Sequence, residues 1–225
     1  MQNNKHATGN ETDGSRLLDG KTAIITGAAG GIGAAIVKLF REAGANVLAV
    51  DRTRSDLEKQ FSAFEEVTLL HADLTAPTAA AQITEACVAA FGKIDIVINN
   101  AGVLFIEALA EATSSVWETT LKVNLEAARD LCNATLPYLK QSRSGRIINT
   151  CSINALIASP MTGAYVTSKH AIAGLTKSQA VEFGPLGITS NYILPGGVPT
   201  NMTKDHLEGL EEALRQRCPL GRFAK

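Results

Sequence analysis

Six short runs of β-branched and aliphatic residues recur along the chain, with helix-length stretches between most of them, and few architectures accept that order. The first run, Lys21-Thr-Ala-Ile-Ile-Thr26, ends in Gly27 and is apolar enough for a strand buried on both faces. A helical stretch from about Ile32 to Ala43 follows, with Gly44 as its stop. Asn46–Val50 reads as a second strand ending on Asp51, and Glu66–His71 as a third ending just before Asp73. Pro77 opens a helix that runs to Phe91 and closes at Gly92. Ile94–Ile98 is a fourth strand leading into Asn99-Asn100-Ala101-Gly102, and a long helix spans about Ser115 to Leu139. Arg146–Cys151, a helix over roughly Gly163–Phe183, and Ile188–Leu194 before Pro195-Gly196 complete the series. Strands alternating with helices predict an α/β fold: a doubly wound parallel sheet of Rossmann type with helices on both faces. With no linker or repeat after residue 17, residues 18–225 are expected to form one domain behind a polar, disordered leader at 1–17.

The turn after the first strand carries chemistry. Gly27, Gly31 and Gly33 are spaced G-x-x-x-G-x-G between a strand and a helix N-terminus, where bare backbone approaches a pyrophosphate and the helix dipole favours its charge. Taken alone, such a cluster is also consistent with a tight βα turn. Asp51 sharpens the reading, because it ends the second strand eighteen residues after Gly33. An acid at that distance binds the adenosine ribose hydroxyls and repels a 2′-phosphate, so NAD is expected over NADP. The non-basic Gly30 agrees, and Arg52 is the one residue that dissents.

A second constellation lies further on. Ser152 stands thirteen residues before Tyr165, and Lys169 follows that tyrosine by four. Positions i and i+4 share a helix face. A phenol with a free pKa near 10 is a poor proton carrier at neutral pH, and a neighbouring ammonium is expected to lower it. Tyr165 is then a candidate general acid–base.

Composition excludes several classes. The formal net charge of −1, without like-charge runs, argues against nucleic acid and anionic membrane as partners. The longest apolar runs fall far short of a membrane span, and the leader lacks the apolar core of a secretory signal. Cys87, Cys132, Cys151 and Cys218 show no paired spacing and the four histidines no metal pattern, so no metal is expected, the cysteines read as buried small hydrophobes, and a reducing cytoplasm is the default.

These pieces together resemble the short-chain dehydrogenase/reductase family in its single-domain form. Carrying the likeness are Thr26-Gly27-x-x-x-Gly31-Ile32-Gly33, Asp73, Asn99-Asn100-Ala101-Gly102, Asn124, Ser152, Tyr165-x-x-x-Lys169 and Pro195-Gly196-x-Val198-x-Thr200, spread between Leu18 and Lys225. The resemblance implies a hydride transfer between NAD(H) and a secondary alcohol or ketone. Tyr165 would exchange the substrate proton, Lys169 would lower its pKa and hold the nicotinamide ribose, and Ser152 would orient the substrate oxygen. Asn124 would hold a water linking Lys169 to solvent. The cofactor would lie along Gly27, Gly31, Ile32 and Gly33, with Asp51 and Arg52 at the ribose, Asp73 and Leu74 at the adenine, and Asn100, Ala101 and Gly102 beneath. Pro195, Gly196, Val198 and Thr200 would meet the carboxamide side. Two departures stand out: Ala155 replaces a common glycine, and the chain after Pro219 lacks the expected last helix and edge strand, which would leave the sixth strand bare. A homo-oligomer, dimer or tetramer, is implied for a chain with that end complete.

The substrate pocket is expected to be framed by Val103–Ile106, Ile153–Ile157 and Gly197 to about Leu220. The first two segments carry no Arg or Lys, which suits a neutral, fairly apolar small-molecule ketone or secondary alcohol. A 3-oxoacyl-carrier-protein-type ketoreductase and a non-catalytic NAD-binding protein are the alternatives. Asp95, Cys151 and His170 read as structural or exposed rather than catalytic.

Overall fold

The computed structural model describes residues 16–203, 211–216 and 218–224. The expected disorder at 1–17 therefore falls, for residues 1–15, outside the described residues. Six strands form one sheet: β1 (Thr22–Thr26), β2 (Asn46–Asp51), β3 (Val67–His71), β4 (Ile96–Asn99), β5 (Arg146–Thr150) and β6 (Thr189–Ile193). Their order is β3-β2-β1-β4-β5-β6, and every pairing is parallel. The expected doubly wound sheet is present, each strand within two residues of its predicted bounds.

The helices are α1 (Gly31–Glu42), α2 (Arg54–Phe61), α3 (Ala79–Phe91), α4 (Ser114–Leu121), α5 (Ala127–Leu139), α6 (Gly163–Phe183) and α7 (Glu211–Gln216). α2 had no clear sequence signal: only Leu57 and Phe61 of its eight residues are buried, one turn apart, in an otherwise charged stretch. The expected long helix from Ser115 is split by a π-helical turn at Lys122–Glu126, which joins α4 to α5. No helix among the described residues is long and apolar enough to cross a membrane.

Period-2 alternation builds two core layers from one strand. Ala23 and Ile25 of β1 pack with Val37, Val47, Leu57 and Phe61 on one face, while Ile24 packs with Leu48, Ile83, Val97, Leu131 and Ile147 on the other. Each Val, Leu, Ile or Phe among them contributes about 1.5–3 kcal/mol on burial.

Two polar devices brace this core. At the amino ends of the strands, the Asp95 carboxylate accepts from the Thr22 N–H at 2.9 Å and the Ser142 hydroxyl at 2.6 Å, and pairs with Lys93 at 3.1 Å. Burial alone would raise its pKa, yet those partners win and hold the carboxyl below its ordinary value. At the other end, Asn99 Nδ2 donates to Asn149 Oδ1 at 2.8 Å, and Asn149 Nδ2 donates to Thr176 Oγ1 at 2.8 Å, which fastens α6 to β5.

Candidate active site

The carboxyl ends of β1, β2, β4, β5 and β6 converge on one cleft. At the first of them the chain must turn sharply, and Gly27 does so with φ of +64°. A Cβ at Gly27 would lie 2.8 Å from Ala101 Cα, and one at Gly33 only 2.1 Å from Gly27 O. Asn100 Nδ2 locks this turn by donating to the carbonyls of Thr26 at 3.1 Å and Gly27 at 3.2 Å. Helix α1 then begins at Gly31 with Gly30 as its N-cap and no side chain capping it. Its first backbone N–H groups thus face the cleft without an internal acceptor, the arrangement that suits a phosphate.

Asp51, at the tip of β2, accepts from Ala29 N–H at 3.0 Å and from Thr53 N–H at 3.1 Å. Its carboxylate is aimed beside the glycine turn. Asp73 accepts from the Thr75 amide at 2.9 Å and hydroxyl at 2.8 Å, and these bonds hold its carboxyl below the usual range.

A cavity of about 220 Å³ runs from this turn to the Tyr/Lys helix. Gly27, Gly31, Ile32, Gly33, Asp51, Asn100, Ala101, Gly102, Ser152, Tyr165, Lys169, Pro195, Gly196, Val198 and Thr200, all singled out in the sequence, line it. An adjoining groove of about 990 Å³ is lined by Arg52, Asp73 and Leu74, again with Asp51, Ala101 and Gly102. Gly30 and, within the expected Gly197–Leu220 frame, Asn201, Met202 and Thr203 also line the cavity, whereas Thr150 was missed and Cys151 was expected only to pack. Thr150 and Cys151 directly precede Ser152, and proximity to that residue was the signal available.

At the far end Ser152 and Tyr165 line the same wall of the cavity, and Ser152 Oγ accepts from Asn154 N–H at 3.1 Å. Lys169 is almost wholly buried, 4% exposed, and donates to the Thr150 carbonyl at 2.8 Å; its Nζ lies 5.5 Å from the centre of the Tyr165 ring. The electrostatics correct the sequence expectation. Burial pushes the Tyr165 phenol above its ordinary value, the neighbouring Ser152 hydroxyl pulls against that, and the nearby Cys151 pushes it up. Burial also depresses Lys169 to about 8. Burial, rather than the Lys169 ammonium, therefore dominates the phenol.

Asn124 sits in the π-helical turn with its amide committed: Oδ1 accepts from Val103 N–H at 2.7 Å, and Nδ2 donates to Val103 O and Ser168 Oγ, both at 3.0 Å. A Cβ on Gly102 would crowd both Asn124 Oδ1 and Lys169 Nζ, at 3.3 and 3.7 Å. Cys151 donates its thiol to the Lys169 carbonyl at 3.0 Å, and burial raises its pKa, which suits packing rather than nucleophilic attack. His170 is exposed and bonds Val166 O within its own helix. Among the described residues no His/Cys/Asp/Glu cluster could hold a metal.

The mouth is apolar. The loop after β4 joins the loop before α6 through Glu107 N–H to Met161 O at 2.8 Å, where Met161 takes the uncommon φ of +60°. These two loops expose Phe105, Ile106, Leu109, Ile153, Leu156, Ile157 and Met161.

Residues 21–211 match the sequence model of the family described as short chain dehydrogenase. The chain is 38% identical over 194 residues to a D-β-hydroxybutyrate dehydrogenase of Rhizobium meliloti, covering 83% of this chain and 75% of that protein. It is 32% identical over 212 residues to the 3-oxoacyl-acyl-carrier-protein reductase FabG of Thermotoga maritima, covering 92% and 86%. A solved structure described as an NAD(P)-dependent gluconate 5-dehydrogenase of Beutenbergia cavernae, with NADP bound at low occupancy, superposes with a TM-score of 0.85 at 33% identity, covering 94% and 86%.

Proposed function

The chain belongs to the short chain dehydrogenase family of oxidoreductases, whose members bind nicotinamide dinucleotides, and from that premise we propose that it interconverts a neutral, apolar ketone and its secondary alcohol with NAD(H), Tyr165 serving as general acid–base. The observation that carries this is the convergence of Ser152, Tyr165 and Lys169 on a cavity whose other end is the uncapped glycine turn. When bound, the nicotinamide supplies or accepts the hydride. The residues present suit it: free N–H groups of α1 for the pyrophosphate, Asp51 for the ribose, Val198 and Thr200 toward the carboxamide.

Tyr165, held protonated by burial at neutral pH, is in the form that donates to a carbonyl oxygen, which favours the reductive direction near pH 7. Ser152 orients that oxygen and shares its developing charge. Lys169, bonded to Thr150 O, sits one turn beyond the phenol, where its proton can replace the one Tyr165 gives up. Asn124 positions rather than reacts: it ties Gly102-Val103 to α6 through Ser168.

NAD over NADP rests on Asp51, whose fixed carboxylate would repel a 2′-phosphate. The apolar substrate rests on the mouth loops, which carry no Arg or Lys between Val103 and Ile106 or between Ile153 and Ile157. A 3-oxoacyl thioester, the type named for the Thermotoga relative, has this neutral, apolar character too. Residues 18–225 then act as one catalytic domain.

The test is Tyr165→Phe against a ketone panel of cyclic, steroidal and acyl compounds. Turnover with NADH should fall by roughly 10²-fold or more, the usual contribution of a positioned acid–base group, while NADH binding persists. Turnover at the wild-type rate would remove Tyr165 from the mechanism.

A further inference from the structure

The segment from Pro195 to Thr203 carries the two residues placed at the carboxamide, so its position decides how the cofactor is gripped. Three of its points are fixed from nearby. Pro195 O accepts from Ile153 N–H at 3.1 Å, which ties its start to the Ser152 turn. Thr203 Oγ1 donates to Val198 O at 2.8 Å and accepts from Thr200 N–H at 3.0 Å, which folds its end upon itself. The Thr200 methyl rests on the glycine turn, since a Cβ at Gly31 would lie 2.7 Å from Thr200 Cγ2. Between the first of these points and the others lie Gly196 and Gly197, two consecutive residues without side chains, where the chain is freest to swivel. A Cβ at Gly196 would meet nothing within 4 Å.

Gly197 is different. Ala224 N–H donates to Gly197 O at 3.1 Å, and the Phe223 ring lies flush on the glycine: a Cβ there would be 2.7 Å from Phe223 Cδ1 and 3.0 Å from Cε1. The ring is itself placed from behind. The Arg215 guanidinium lies 5.6 Å from its centre, and the turn between them is closed by Cys218 N–H to Arg215 O and Gly221 N–H to Cys218 O. A stretch about twenty-five residues further along the chain therefore clamps the swivel point of the cofactor segment.

We infer that Phe223 is a positioning residue for the dinucleotide, holding Gly197 so that Val198 and Thr200 face the cavity. The inference rests on the proposed nicotinamide chemistry and goes beyond it. Phe223 lines neither the cavity nor the adjoining groove; it acts through Gly197.

A double-mutant cycle tests it, with NADH affinity read by fluorescence and melting temperature recorded beside it. Phe223→Ala should weaken NADH binding by roughly fivefold or more, and Phe223→Leu, which keeps most of the volume on Gly197, should stay near wild type. Gly197→Ala alone should also weaken binding, because its φ lies outside the left-handed region and the Phe223 ring is what opposes the new methyl. In the Phe223→Ala background the same Gly197→Ala change should add less than about twofold, since the ring is gone. Unchanged affinity in both single variants, or effects that simply multiply, would overturn the clamp. A loss of stability alone, without that non-additivity in affinity, would also overturn it. Should Phe223→Ala not fold, Gly197→Ala and Phe223→Leu still decide: wild-type NADH affinity in Gly197→Ala, or a Phe223→Leu variant as weak as Gly197→Ala, overturns it. Wild-type protein that binds neither NADH nor NADPH would instead refute the nicotinamide reading beneath, and the clamp with it.

Discussion

Lys169 lies one helical turn beyond Tyr165, with its Nζ 5.5 Å from the phenol ring centre, yet it bonds the Thr150 carbonyl and burial lowers its pKa to about 8. Proximity along a helix brought the two together; the protein around them decided their charge.

That burial has a measurable consequence for stability. Lys169 is depressed to about 8 in the folded protein, against about 10.4 for an unfolded lysine. Below pH 8 both states hold the proton, and burying the ammonium costs roughly 3 kcal/mol. Between about 8 and 10.4 the unfolded chain binds more protons, so stability climbs with pH. Lys169→Met, which lacks this group, should melt several degrees above wild type at pH 7 while losing activity. The gap should close as the pH approaches 10. A gap that stays constant from pH 7 to 10 would sink the assignment of a depressed lysine.

Asp51 is the residue on which cofactor choice turns. Asp51→Asn keeps the size and one acceptor for Ala29 or Thr53 but removes the charge. The ratio of NADH to NADPH affinity should fall by about tenfold, equivalent to about 1.4 kcal/mol. Dissociation constants for both cofactors on both proteins provide the measurement, and an unmoved ratio would mean that another group sets the preference.

At the opposite end of the sheet, Asp95→Ala leaves the buried Thr22 N–H without its acceptor and strips Ser142 and Lys93 of their partner. Urea unfolding should show a loss of roughly 2–4 kcal/mol at pH 7. Because this carboxyl is held below its ordinary value, its contribution is complete above the unfolded carboxylate range and fades as pH falls through the folded value. Wild type and variant should therefore converge in acid. A deficit under 1 kcal/mol at pH 7 would show that the network is dispensable.

Local physics made much of this protein legible. Buried parallel strands such as Thr22–Thr26 announce themselves as unbroken aliphatic runs. Gly27 was identifiable because the turn it makes is open to little else, and the alignment of Tyr165 over Lys169 follows from helical periodicity alone. Helix α2 was not legible, since two buried residues in a charged octamer make a weak period that the sheet strengthens by offering Leu57 and Phe61 a surface. The π-helical turn at Lys122–Glu126 was hidden for a related reason: it places Asn124 on Val103, a partner across space that no spacing encodes.

The order of the strands along the chain, the glycine turn, the acid ending β2 and the Tyr165/Lys169 pair were determined by the sequence itself, because each depends on neighbours within a turn or a strand. Tertiary structure alone decided the protonation of Tyr165 and Lys169, the fastening of Asn149 to Thr176 and the seat of Phe223 on Gly197. Those depend on burial and on groups brought together from distant parts of the chain, and neither exists until the chain has folded.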